Sequence, residues 1–277
     1  MWRTGEDLGH YSRDAMMPTV WCPGCGNGLV LRGLLEAVRE LGLDRQRLVV
    51  VGGIGCSGRA PFYVNAHAMH TTHGRALAFA TGIKLASPEL TVITLMGDGD
   101  ALAIGGNHFI HACRRNLDLT AIVFNNSIYG MTGGQQGPTT PRGSRSATSR
   151  LGSIDRPLDA AALALAAGAG YVARTTTFDF QDLPQRVGEA IRHPGFALVE
   201  VLTQCPVYFG RLNDLGDASA MLDYEKELTV PRTEISREEV VGRTPIGVFR
   251  SEAAHEYGRE YAELRARATV LEGGNDG

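Results

Sequence analysis

Asp98 and Asn126 stand 28 residues apart, each at a polar break that follows an apolar run. Asp98 lies in Gly97-Asp98-Gly99-Asp100, after Thr91-Val92-Ile93-Thr94-Leu95-Met96. Asn126 follows Asn125, after the run from Leu119 to Phe124. A carboxylate and an amide oxygen are hard donors. They suit a cation such as Mg²⁺, which keeps few protein ligands and shares its shell with phosphate oxygens. The flanking glycines let backbone N–H groups approach such oxygens at a helix start. A second set of reactive groups is the five cysteines: Cys22, Cys25, Cys56, Cys113 and Cys205. Cys22-Pro23-Gly24-Cys25 can place two thiolates on one centre. Cys56 and Cys205 each follow an apolar run, in Gly55-Cys56-Ser57-Gly58 and Gln204-Cys205-Pro206. Four thiolates suit either a structural zinc or a [4Fe–4S] cluster. One Cys-x-x-Cys knuckle with two distant single cysteines favours the cluster over a two-knuckle zinc ribbon, and spacing leaves both open. Cys113 sits inside an expected helix without a partner and reads as a small buried residue.

These groups need a scaffold that gathers strand ends. Helical periodicity runs over 27–41, stopped by Gly42, and over 75–86, closed by Ser87-Pro88. Further helices are expected at 101–115, 157–168 and 179–192. Strands are expected at 48–52, 91–96, 119–124, 171–174 and 196–202. Residues 1–20 read as an irregular arm, and residues up to about 72 after the first strand as a loop. The Gly/Ser/Thr/Pro/Arg stretch 130–153 reads as a long functional loop. Residues 206–250 read as irregular and 251–269 as a charged helix. Alternating strands and helices predict an α/β fold: a Rossmann-like parallel sheet covered by helices on both faces. The division expected is 1–205 as the ligand-binding domain and 206–277 as a C-terminal extension. In such sheets ligands bind beyond the carboxyl ends of the strands.

The order of motifs adds a resemblance. Trp21-Cys22-Pro23-Gly24-Cys25-Gly26 precedes Gly53-Ile54-Gly55-Cys56-Ser57-Gly58 and His73-Gly74-Arg75-Ala76. Gly97-Asp98-Gly99 with Asn125-Asn126 follows, resembling the thiamine diphosphate motif, then Tyr129-Gly130-Met131-Thr132-Gly133-Gly134-Gln135 and Gln204-Cys205-Pro206. From about residue 10 to about residue 250 the chain closely resembles the β subunit of the 2-oxoacid:ferredoxin oxidoreductases. The resemblance implies a thiamine diphosphate-binding fold of the diphosphate-binding type. It implies Mg²⁺ held by Asp98, Asn126 and the Ile128 backbone carbonyl, and cofactor contacts from Gly97, Gly99, Asp100, Thr132, Gly55, Cys56 and Ser57. It assigns Cys22, Cys25, Cys56 and Cys205 to one [4Fe–4S] cluster, and His70 and His73 to the catalytic pocket. Coenzyme A is implied as co-substrate, an α subunit and ferredoxin as partners, an αβ dimer or its dimer as assembly, and the cytoplasm as location. Met131 departs from pyruvate-specific relatives, which carry Asn there. The Gly-Met-Thr-Gly-Gly-Gln form and Pro245-Ile246-Gly247-Val248-Phe249-Arg250 look more like 2-oxoglutarate enzymes. Branched-chain 2-oxoacids and pyruvate remain alternatives, as does a non-redox thiamine lyase with a structural zinc.

Bulk properties narrow the class. With 277 residues, 43% of them hydrophobic, the chain can bury a substantial core. No apolar run approaches the ~20 residues of a membrane span. A net charge of −3 gives no basic field for nucleic acid. The N-terminus lacks the apolar segment of a secretory signal, and a disulfide framework is not expected. Gly53-x-Gly55-x-x-Gly58 formally matches a dinucleotide fingerprint, but Pro61 interrupts the helix that should follow, and the later acidic residue is missing. His67, His70 and His73 would share a face on a helix and could bind a metal there. A polar pocket wall is the simpler reading. Arg142, Arg145 and Arg150 could meet the phosphates of coenzyme A or a substrate carboxylate, or could be solvated loop residues. One α/β unit uses most of the chain, so the acid that must face the aminopyrimidine is expected on the α subunit.

Overall fold

Apolar runs become the interior strands. The computed structural model describes residues 8–234 and 242–273. The strands are β1 (Leu48–Gly52), β2 (His67–His70), β3 (Thr91–Gly97), β4 (Thr120–Asn125), β5 (Ile128–Tyr129), β6 (Gln135–Gln136), β7 (Tyr171–Thr176), β8 (Ala197–Leu202), β9 (Thr229–Pro231) and β10 (Thr244–Ser251). Every residue of β1, β4 and β7 is buried. Continuous burial without alternation marks strands covered on both faces. Eight strands form one sheet in the order β2-β1-β3-β4-β8-β7-β10-β9, and β5 and β6 form a separate antiparallel ribbon. The pairings from β2 through β7 are parallel. Strand β10 runs antiparallel to β7, so the sheet is mostly rather than wholly parallel.

The helices are α1 (Asn27–Glu40), α2 (Ala76–Ala86), α3 (Gly106–Arg115), α4 (Ala160–Ala167), α5 (Asp182–Arg192), α6 (Ala218–Leu228) and α7 (Tyr257–Gly273). Helices α1 and α5 cover one face, where Val30, Leu34 and Val38 join Leu183 and Val187 in a core. Helices α2, α3 and α4 cover the other through Leu77, Ala80, Phe109, Ala112 and Ala164. Cys113 belongs to this second core and is buried, as expected of a small apolar side chain. Asp159 caps α4 by accepting from Ala162 N, and Gly168 ends it in the left-handed region at φ 94°. Among the described residues no helix is long and apolar enough to cross a membrane.

Four expectations need correction. Residues 206–250 are not irregular: they hold a π-helical turn at Pro206–Gly210, α6, β9 and the start of β10. The loop to residue 72 contains a 3₁₀ run at Ser57–Tyr63 and strand β2. His67 and His70 therefore lie on a strand with His73 beyond its end, so the helical face that would gather them does not exist. The expected helix 101–115 divides into a π-helical segment, Gly99–Ile104, and α3.

Parallel β1, β3, β4 and β8 end on the same edge of the sheet. Beyond those ends lie Gly53–Cys56, Asp98, Asn126 and Cys205 respectively.

Candidate active site

Strand β3 ends at Gly97 and delivers Asp98 to the start of the π-helical turn, a geometry that recurs at functional sites. Asp98 is 3% exposed. Burial pushes its carboxyl up to about 6, against the pull of the Thr139 hydroxyl and nearby backbone N–H groups. Thr139 donates to Asp98 Oδ2 in a short contact and lies 2.9 Å from Asn125 Oδ1. Strand β4 ends at Asn125, and the next residues form a tight turn. Ser127 takes a left-handed φ of 61°. Its N–H donates to Asn125 Oδ1 at 3.2 Å, and its carbonyl accepts from Thr140 Oγ1 at 2.6 Å. Asn126 Oδ1 accepts from Ile128 N at 3.2 Å. Asp98, Asn126 and Ile128 line one cavity together with Gly97, Gly99, Ser57, His73 and Tyr129.

Asp100 braces this cavity from beneath. Its Oδ1 accepts from Gly74 N at 2.7 Å and Ile54 N at 3.3 Å and meets His73 Nδ1 at 2.7 Å. Burial raises its carboxyl, and these partners oppose the rise. One carboxylate thereby ties the loops after β1 and β2 to the loop after β3. The packing requires glycine in two places. A Cβ on Gly53 would lie 1.7 Å from Asp100 Oδ2, and one on Gly99 would lie 2.1 Å from the Tyr129 ring. His73 lines the cavity, whereas His70 does not: it packs against Phe62 with ring centroids 5.2 Å apart and the rings tilted by 38°. His67 is exposed. Thr132 lines the cavity and donates from Oγ1 to Gln135 Oε1 at 2.6 Å. Of the loop arginines, Arg145 pairs with Asp214, and Arg142 and Arg150 line neither this cavity nor its neighbour.

The neighbouring cavity is lined by Cys22, Cys25, Cys56 and Cys205, with Trp21, Arg59 and Tyr208. The Cys22–Cys25 turn is closed by Cys25 N donating to Cys22 O at 3.0 Å and is tied to the β8 end by Gly26 N donating to Gln204 O at 3.2 Å. Trp21 Nε1 donates to Cys56 O at 2.7 Å. Burial, with the other thiols adding to it, pushes Cys25 up to about 12 and Cys56 up to about 11. Cys205 is raised for the same reason. Such thiols ionise readily only against a metal. Among the described residues no three His, Cys, Asp or Glu groups are gathered closely enough to hold one metal ion. The four thiols line a common space. Cys56, Asn126, Gly130 and Met131 line both cavities, so the two share a wall. A Cβ on Gly130 would lie 3.6 Å from Cys205 Sγ and 3.8 Å from Cys56 Sγ.

Sequence reasoning gave Asn125 no role beyond its place in the motif and passed over Thr139, Arg174 and Glu200. Glu200 is 1% exposed and Arg174 3% exposed. Arg174 Nε donates to Glu200 Oε2 at 2.7 Å, and Asn125 Nδ2 donates to Oε1 at 2.7 Å. A signal was present: Glu200 interrupts the apolar run Phe196–Leu202, and Arg174 lies within Tyr171–Thr176.

Known proteins match this arrangement. The family described as thiamine pyrophosphate enzyme, C-terminal TPP binding domain, matches residues 53–201. The 2-oxoglutarate synthase subunit KorB of Archaeoglobus fulgidus is 52% identical over 255 residues, covering 92% of this chain and 93% of that one. The KorB subunit of Methanocaldococcus jannaschii is 47% identical over 242 residues, covering 86% of this chain and 90% of that one. A solved 2-oxoglutarate:ferredoxin oxidoreductase from Magnetococcus marinus, with 2-oxoglutarate, coenzyme A and succinyl-CoA bound, superimposes with a TM-score of 0.87 at 32% identity. The match covers 96% of this chain and 92% of that one.

Proposed function

We infer the function from the premise that the chain belongs to the β subunits of the 2-oxoacid:ferredoxin oxidoreductases, within the thiamine pyrophosphate enzyme family. It is the β subunit of a 2-oxoglutarate:ferredoxin oxidoreductase and works with an α subunit. The full reaction is coenzyme A-dependent oxidative decarboxylation of 2-oxoglutarate, with electrons passed to ferredoxin. The observation that carries the reading is the wall shared by the two cavities, Cys56, Asn126, Gly130 and Met131. It sets a hard-donor pocket against a four-thiol pocket with nothing between them but one layer of protein.

The residues fit the groups that the reading requires. Asp98, fully buried and raised by desolvation, needs a cation to be ionised there at little cost. The Asn126 amide oxygen and the Ile128 backbone carbonyl would complete its ligands to Mg²⁺. Gly97 and Gly99 leave room for a diphosphate, and Asp100, Ser57 and Thr132 border it. Thiamine diphosphate, when bound, supplies the carbon nucleophile and electron sink for decarboxylation. His73 donates or accepts at the cavity with the nitrogen that Asp100 leaves free, and Asp100 fixes the ring's orientation. Cys22, Cys25, Cys56 and Cys205 would hold a [4Fe–4S] cluster, with Cys22 exposed and the other three half-buried. Met131 reaches into both cavities, where it would narrow the approach to the substrate.

The complex with the α subunit, prepared without oxygen, should be brown and should reduce ferredoxin only when 2-oxoglutarate, coenzyme A, thiamine diphosphate and Mg²⁺ are all present. Its kcat/KM should be higher for 2-oxoglutarate than for pyruvate or 2-oxoisovalerate. A colourless, zinc-containing complex that decarboxylates without reducing ferredoxin would overturn the reading in favour of a non-redox lyase. A preference for another 2-oxoacid would overturn only the substrate assignment.

A further inference from the structure

Two buried charges outside both cavities reach the proposed cation site through an amide. Glu200, in the middle of β8, lies beside Val123 on one neighbouring strand and Arg174 on the other. Its Oε2 accepts from Arg174 Nε and its Oε1 from Asn125 Nδ2, each at 2.7 Å. Arg174 is held in turn by Asp159, by the Pro245 carbonyl at 3.2 Å and by the Phe249 ring at 5.4 Å. A carboxylate in an ion pair only accepts hydrogen bonds. Asn125 must therefore present its NH₂ to Glu200 and its oxygen to the opposite side. That oxygen takes the N–H of Ser127, whose left-handed φ of 61° is a conformation that a non-glycine residue keeps only when its surroundings impose it. The turn at Ser127 sets the course of the chain from Asn126 to Ile128.

We propose that Glu200, paired with Arg174, is a positioning residue for the Mg²⁺–diphosphate site: it fixes the orientation of the Asn125 amide and so the left-handed turn that carries Asn126 and Ile128. The proposal rests on the thiamine diphosphate reading above. Neither charge lines either of the two cavities described above, and the effect runs through hydrogen-bond polarity rather than contact with any ligand. In Glu200→Gln, the cationic Arg174 claims the single amide oxygen, and the new NH₂ faces Asn125. Asn125 then has to rotate, turning its own NH₂ against the Ser127 N–H.

The test uses the αβ complex and follows thiamine diphosphate binding while Mg²⁺ is titrated, with iron content and thermal unfolding as checks on folding. The E200Q complex should need about tenfold more Mg²⁺, the scale of loss seen when groups behind a metal ligand are changed. Ser127→Gly accepts a positive φ without support. S127G/E200Q should therefore bind like S127G alone, although its charge is that of E200Q. Unchanged binding in E200Q overturns the proposal. So does S127G/E200Q remaining as weak as E200Q, which would assign the effect to lost charge. Should E200Q alone fail to fold, R174M/E200Q removes the buried pair together and leaves the Gln oxygen to Asn125. That variant should bind like wild type, and weak binding in it overturns the proposal. A wild-type complex with no Mg²⁺-dependent binding would instead remove the thiamine diphosphate reading, and this inference with it.

Discussion

Asp98 has no solvent to stabilise its charge: it is 3% exposed and meets a threonine hydroxyl rather than a cationic side chain. A carboxylate so placed would be stabilised by a bound cation. Asp98→Ala or Asn126→Ala should weaken thiamine diphosphate binding by well over tenfold while iron content stays normal. Calorimetric titration of each purified complex, with parallel iron analysis, checks this, and full affinity in both would discard the cation assignment. At this scale the sequence was legible where a residue's type contradicts its surroundings. Asp98, Asn126 and the single cysteines break apolar runs and so announce themselves. Glu200 and Arg174 are also contradictions, yet a charged residue in a strand more often points to solvent than to a buried partner. Only the pairing of β8 with β7 on one side and β4 on the other shows that both faces are covered. Thr139 was beyond reach, because nothing in a Pro-Thr-Thr loop tells which strand end it returns to.

Among the elements, α6 is the piece that sequence reading left as irregular chain. Its Glu225 is 5% exposed and lies against Thr177 and Phe178 at the end of β7. The Thr177 hydroxyl is 2.5 Å from Gln204 Oε1 and 2.9 Å from Glu225 Oε2. One hydroxyl proton cannot serve two acceptors, and a neutral carboxyl can supply the second. Burial indeed pushes Glu225 up to about 8 from an ordinary value of 4.5. A carboxyl raised by folding stabilises the fold fully below its unfolded pKa, and that contribution is lost as pH rises towards the folded pKa. Glu225→Gln keeps the neutral pattern at every pH. Its unfolding free energy should equal that of wild type below about pH 4.5, exceed it increasingly up to about pH 8, and stay level beyond, by roughly a few kcal/mol at most. Differential scanning calorimetry across that range decides it, and a pH-independent difference would refute the neutral carboxyl. Helix α6 escaped notice because it buries so little of its surface, with only Met221 and Glu225 buried. Strand β2 escaped for a related reason: an edge strand whose first three residues are exposed shows no apolar alternation. The strands fully buried in the sheet were legible because burial on both faces demands unbroken apolar runs.

For the molecule as a whole, the cysteines divide by location. Changing any one of Cys22, Cys25, Cys56 or Cys205 to Ala should remove most of the iron and the ferredoxin-linked activity. Cys113→Ala, inside the α3 core, should keep its iron and cost only a modest loss of stability. Iron analysis and visible absorption on anaerobically prepared complexes test both halves, and iron loss on changing Cys113 would move a ligand to the other side of the sheet. Among the described residues the carboxylates lining the first cavity are Asp98 and Asp100, which the reading above gives to the cation and to the bracing of His73. The isolated chain should bind some thiamine diphosphate yet fail to exchange carbon dioxide with 2-oxoglutarate, and adding the α subunit should restore exchange without ferredoxin. Exchange by the chain alone, followed with labelled carbon dioxide, would place the acid here after all.

Gly130 and Met131 touch both cavities, with Gly130 close to the Cys56 and Cys205 sulfurs. Whatever orders that segment from one side alters the free energy of filling the other. Such an influence is reciprocal by thermodynamic necessity: the factor by which an assembled cluster tightens thiamine diphosphate must equal the factor by which thiamine diphosphate tightens the cluster. If the two cavities take the cluster and the cofactor proposed above, maturation of this subunit and saturation with its vitamin-derived cofactor are one coupled equilibrium. Cells short of thiamine should hold the subunit poorer in iron, and cells short of iron should hold it poorer in thiamine.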